Sequence, residues 1–195
     1  MDMKVNLTEE SVLNWLKLNN LALYYLALSQ KDLSKNIELR DLGKLFADPN
    51  EYIQADWIND NTSLSVKKRT DFMTNANAGG YDIITIDGKL KIQSKLRATS
   101  IHLEQTRRTS GKNTVKSSTG HVRYSVGEAD VYMFSRPDVE DYINISKWEY
   151  IAIPEKELID PNNPQYLLPR VNKSIWKKYI GKAKEVLESA YNSKK

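Results

Sequence analysis

Residues 79–96, GGYDIITIDGKLKIQSKL, decide how this chain folds. After Gly79-Gly80, apolar residues recur at every second position in two runs, YDIITI and KLKIQSKL, with Asp87-Gly88 between them. Period-two alternation marks half-buried strands, and Asp-Gly between two such runs is a strong hairpin signal. A two-residue loop would pair Ile86 with Lys89, and counting back along both strands sets Asp82 directly across from Gln93. Lys95, two residues farther on, shares the face of Gln93. Directly paired residues hold their Cβ atoms about 4.5–5.5 Å apart, so one cation can touch both side chains. The register also sorts the rest of the hairpin. Asp82, Lys89, Lys91, Gln93 and Lys95 share one face with Ile84 and Ile86. Tyr81, Ile83, Thr85, Leu90, Ile92, Ser94 and Leu96 form the other, which is nearly all apolar and is expected to lie against helices.

Working outward, residues 7–29 are rich in Leu and aromatic side chains without Gly or Pro, and read as a largely buried helix. A second helix is expected over Glu38 to Ala47, ended by Asp48-Pro49-Asn50. The polar stretch from Asn59 to Gly80 reads as loop. Beyond the hairpin, strands are expected at residues 121–124, 129–134 and 148–153, and the basic segment 106–120 as a loop. Turn residues around 160–164 precede a final helix over 173–191, where Ile175, Tyr179, Ala183, Val186, Leu187 and Ala190 recur at spacings of three and four. The expected fold class is α/β (α+β), a central mixed sheet of four to five strands flanked by helices. One domain would span residues 1–195, with a helical part over 1–58, the sheet core over 79–154 and a closing helix.

Composition narrows the chemistry. With no cysteine, disulfides, zinc-thiolate sites and thiol nucleophiles are excluded, and two histidines are too few for a histidine-built metal site. Any bound metal is then a hard, oxygen-liganded one. No apolar run approaches a bilayer span and the start lacks the pattern of a secretion signal, so no membrane association and a cytoplasmic location are expected. The formal net charge is +4, but residues 65–124 hold twelve Lys/Arg against four acids, an excess of +8. A basic middle of this kind suits phosphate binding with counterion release.

Asp82 at a strand start, followed by Gln93-Ser94-Lys95 on the next strand, resembles the PD-(D/E)xK nuclease superfamily, to which most type II restriction enzymes belong. Its pattern is an Asp, then an acid, any residue and a Lys on the following strand. The later runs VGEADVYMF and WEYIAIP look like further core strands of such nucleases, so the likeness covers Gly79 to Pro154. Tyr81 stands where the family name has Pro, and Gln93 replaces the usual acid. A glutamine supplies a neutral carbonyl oxygen, which weakens the hold on Mg²⁺ without removing the ligand. Some restriction and intron-homing nucleases are similar in using Gln at that place.

The resemblance implies a restriction-endonuclease-like core and a Mg²⁺-dependent enzyme, with Mn²⁺ able to substitute. Asp82 and Gln93 would hold the metal, and Lys95 would orient the attacking water or stabilise developing charge. Glu9, Glu10 and Glu51 are candidates for a further carboxylate. Lys67, Lys68 and Arg69 before the hairpin, with Arg97, Thr99, Arg107, Arg108, Lys112 and Lys116 after it, are expected to meet double-stranded DNA. Two-fold symmetry suits a palindromic site, so a homodimer is expected. The alternatives are an intron-encoded homing nuclease of the same fold and a DNA-binding protein that does not cut.

Overall fold

The computed structural model describes residues 46–69, 80–97, 102–103, 123–138 and 144–194. The elements in chain order are helix α1 (Ala47–Asn61), strands β1 (Val66–Lys68), β2 (Ile83–Thr85), β3 (Lys91–Leu96), β4 (Val131–Arg136) and β5 (Glu149–Pro154), a hairpin of β6 (Ile159–Asp160) and β7 (Asn163–Leu167), then helices α2 (Lys173–Tyr179) and α3 (Ala183–Asn192). The chain is α+β, as expected, with a mixed five-stranded sheet ordered β1-β2-β3-β4-β5. Neighbouring strands are antiparallel except β3 and β4, which run parallel.

The residues of β4, VYMFSR, are buried from Val131 through Ser135. A strand covered on both faces needs such a near-continuous apolar run. Its α1-facing side carries Met133 and Ser135, whose carbonyl and hydroxyl oxygens both approach Gln54 Nε2. On its other side Phe134 meets Trp176 of α2 edge to face, at 5.1 Å between ring centroids. The sheet is therefore the middle layer, with α1 on one face and α2 and α3 on the other.

Several elements depart from the sequence expectation. Asp48-Pro49-Asn50 does not end a helix, because α1 begins at Ala47 and runs through it. Pro49 falls in the first turn, where the missing N–H has no intrahelical acceptor to lose. The stretch expected to be loop after Asn59 contains β1, an edge strand. Leu64, Val66 and Lys68 point inward and Ser65 and Lys67 outward. The Asn59 side chain pairs with both backbone groups of Val66, at 2.8 and 3.2 Å, and so occupies part of the sheet edge.

The final helix is broken in two at Gly181, whose φ of +71° is the left-handed conformation that glycine adopts most readily. The apolar face survives the break, with Tyr179, Ala183, Val186 and Leu187 all buried. Arg123 and Tyr124 do not extend the central sheet. Tyr124 instead accepts a hydrogen bond from the Leu167 amide of β7, and Ser125 bridges to Tyr166. The expected helix over 7–29, all but the last two residues of the helix expected over 38–47, and the basic loop over 106–120 lie outside the described residues. Among the described residues, no helix is long and apolar enough to cross a membrane.

Candidate active site at the open end of a hairpin

The β2–β3 register is the one that parity demands. Ile83 pairs with Ile92 and Ile84 with Lys91, which carries Asp82 opposite Gln93. The turn itself is longer than the two-residue loop expected. Thr85 and Leu90 close it through the Thr85 amide and the Leu90 carbonyl, and Gly88 (φ +76°) donates its amide to the Thr85 carbonyl. The Ile86 amide is drawn away to the Ser65 carbonyl beside β1. Adding one residue to each side of the loop preserves the register, so the facing of Asp82 and Gln93 is unchanged.

Asp82 sits just outside β2 and continues its ladder with the side chain. Its amide donates to the Ile92 carbonyl at 3.0 Å, while its Oδ2 accepts the Ser94 amide at 3.0 Å. The carboxylate thus takes the place of a strand carbonyl. The Gln93 side-chain amide also donates to Asp82 Oδ2, and to its neighbour's carbonyl at 3.2 Å. Gln93 is buried at 5% exposure, so this amide is fixed by its contacts and not by solvent. Lys95 is half-buried, and its Nζ donates to the Tyr124 hydroxyl and lies 4.5 Å from the centre of the Tyr124 ring.

Burial dominates the electrostatics of this cluster. It raises the pKa of Asp82 above its ordinary value of 3.8, against the opposing pull of Lys95, the Ser94 amide, Lys68 and Arg69. It pushes Lys95 down to about 7, with Arg97 adding to the shift and Asp82, Glu51 and Glu128 opposing it. No ion pair joins Asp82 to Lys95, so each charge stays only partly compensated. Burial likewise raises the Tyr124 hydroxyl, which keeps its proton at neutral pH. Such mutual perturbation at one spot is the pattern found at functional sites.

Of the remaining expected site residues, Lys67 is exposed on β1. Lys68 and Arg69 are not loop residues open to solvent. Lys68 is buried against Glu51 at 2.9 Å and over the Tyr52 ring, and Arg69 is buried over the Tyr81 ring at 4.4 Å. The cause is β1, which turns Lys68 toward α1. Arg97 is half-buried, held by the carbonyls of His102 and Leu96. Thr99, Arg107, Arg108, Lys112 and Lys116 lie outside the described residues, as do Glu9 and Glu10. Glu51 belongs to the opposite, α1-covered side of the sheet and is engaged by Lys68.

Two residues of this cluster escaped the sequence reading. Tyr124 reaches Lys95 from a segment 29 residues away. Glu128 packs on Gly80, where an added Cβ would stand 2.0 Å from its Oε2, and it accepts the Ser125 amide at 2.9 Å. Only the crossing of the chain segments brings Tyr124 to Lys95 and Glu128 to Gly80. Asp130, by contrast, is structural: its Oδ2 accepts the Lys91 amide at 2.8 Å.

Among the described residues no three carboxylate or imidazole side chains gather into a metal cage. The donor chemistry at Asp82 and Gln93 nevertheless suits Mg²⁺, which commonly takes one or two protein oxygens and fills its shell with phosphate and water. Asp82, desolvated and incompletely neutralised, would gain from such a cation. Gln93 must first rotate its amide, exchanging Nε2 for Oε1 on the side of Asp82. No protein-family model and no curated protein matches this chain.

Proposed function

We propose that this chain is a Mg²⁺-dependent, site-specific endonuclease of double-stranded DNA, of the type II restriction kind and acting as a homodimer. The observation that carries the reading is Asp82 facing Gln93 across the open end of the β2–β3 hairpin, with the Lys95 ammonium desolvated on the same face. The five-stranded mixed sheet, with VYMFSR and EYIAIP as its fourth and fifth strands, supports the likeness to PD-(D/E)xK nucleases.

Asp82 and a turned Gln93 would offer two oxygens to the metal. When bound, Mg²⁺ supplies the charge that activates water at neutral pH and offsets charge on the scissile phosphate. Lys95 contributes an N–H donor toward the water or the phosphate oxygens. With its pKa at about 7 it takes up and gives back a proton near neutral pH. Water then forms the new P–O bond as one ester P–O bond breaks, and no covalent link to the protein is needed. Exposed Lys67 and half-buried Arg97 fit contacts to phosphates beside the cut.

Incubation of the pure protein with plasmid DNA and Mg²⁺, with end sequencing of the products, tests this reading. Discrete fragments with common termini are expected, and their loss on chelation. Intact plasmid in Mg²⁺ and in Mn²⁺ would refute the enzyme.

A further inference from the structure

We infer that Tyr124 is the positioning residue for Lys95: its hydroxyl accepts a hydrogen bond from Nζ, fixing the nitrogen on the face of β3 that Gln93 shares. This inference rests on the nuclease reading for its consequence in cleavage, but its geometry stands apart from it. A lysine has four rotatable side-chain bonds, so a charge at its end is poorly placed unless something holds it. Here the hydroxyl meets the nitrogen directly, and Nζ lies 4.5 Å from the ring centroid on the hydroxyl side. Among the described residues no carboxylate makes an ion pair with Nζ, and the Tyr124 hydroxyl is the group that sets its direction.

The tyrosine is itself held. Its ring meets Tyr132 edge to face at 5.4 Å, and Tyr132 is the β4 residue beside Gln93. Its carbonyl accepts the Leu167 amide at 2.9 Å, which ties the backbone to β7. Tyr124 is only 4% exposed, so the hydroxyl has little water to turn to if Nζ leaves. A ring packed on one side, anchored behind and bonded in front is a rigid support for a flexible cation.

Tyr124→Phe keeps the ring and removes only the oxygen. In single-turnover cleavage it is expected to lower the rate about tenfold, the value of one hydrogen bond, while the DNA dissociation constant without metal stays within about twofold. A parental cleavage rate would overturn the inference. A second readout does not depend on cutting. The ¹⁵Nζ resonance of Lys95, assigned by its loss in Lys95→Met, should move in Tyr124→Phe, and the ¹³Cζ resonance of Tyr124 should move in Lys95→Met. Should Tyr124→Phe fail to fold, the second shift alone decides. If both resonances stay in place the contact does not exist, whether or not the protein cuts DNA. If they move in a protein that never cuts, the positioning stands and the nuclease reading falls.

Discussion

Strand β3 buries polar groups on both of its faces, and the two faces treat them differently. Toward α1, Ser94 receives the side-chain amide of Asn50 at 2.7 Å, and Gln54 spans to the Ser135 hydroxyl at 2.9 Å and the Met133 carbonyl at 3.2 Å. Those partners are neutral and lock the helix to the sheet, while Asn50 Oδ1 and Gln54 Oε1 are buried without a hydrogen-bond partner among the described residues. On the opposite face Asp82 and Lys95 are half-buried and partly desolvated, yet they form no ion pair with each other, and both pKa values move in the direction that disfavours charge. The first face behaves as architecture. The second keeps unneutralised charge inside the protein, which folding does not reward and which chemistry on a phosphate can use.

The contrast can be broken at several points. Lys95→Ala should lower DNA cleavage by about a thousandfold or more while binding persists, because the side chain acts on the reacting groups and adds a single charge to affinity. Gln54→Ala should act the other way, costing about 2–3 kcal/mol in denaturant unfolding because buried acceptors lose their donor. Any fall in its cleavage should track the folded fraction. An equal stability loss in Lys95→Ala would erase the distinction between the faces.

A smaller effect carries the opposite sign. Folded Lys95 releases its proton at about 7, whereas the unfolded chain holds it to near 10.5. The unfolded state therefore binds more protons between those values, and stability should rise with pH across that window. Asp82 has a raised value, so its contribution is fully present at acid pH and is lost as pH climbs through the folded pKa. At pH 7 both groups work against folding. Lys95→Met should then stabilise the protein by about 1 kcal/mol at neutral pH and flatten the rise above it, measured by urea midpoints at several pH values. The smallest change expected is at Lys67→Ala, where the dependence of log affinity on log salt should lose about one unit of slope with no effect on cleavage chemistry.

Much of this was legible in the sequence because strand parity is robust. Asp82 faces Gln93 whether the loop has two residues or four, since each added pair leaves the register intact. The apolar side of the hairpin and the buried run of β4 were equally plain from alternation and composition. β1 was hidden because its inward positions end in Lys68, whose burial depends on Glu51 and Tyr52 of α1. Pro49 looked like a stop because a proline inside a helix is one, and only the start of α1 at Ala47 shows that it lies in the first turn. The break at Gly181 left the helical spacing of apolar residues undisturbed, so periodicity gave no sign of it. Tyr124 and Glu128 join the site through tertiary crossings, about which spacing along the chain is silent.

The most direct measurement is conversion of supercoiled plasmid to linear product in Mg²⁺ by the parent protein and by Asp82→Ala, matched for folded fraction by circular dichroism. Cutting by the parent and none by the variant is expected, with DNA binding retained in both. Equal cutting by the two proteins would contradict it.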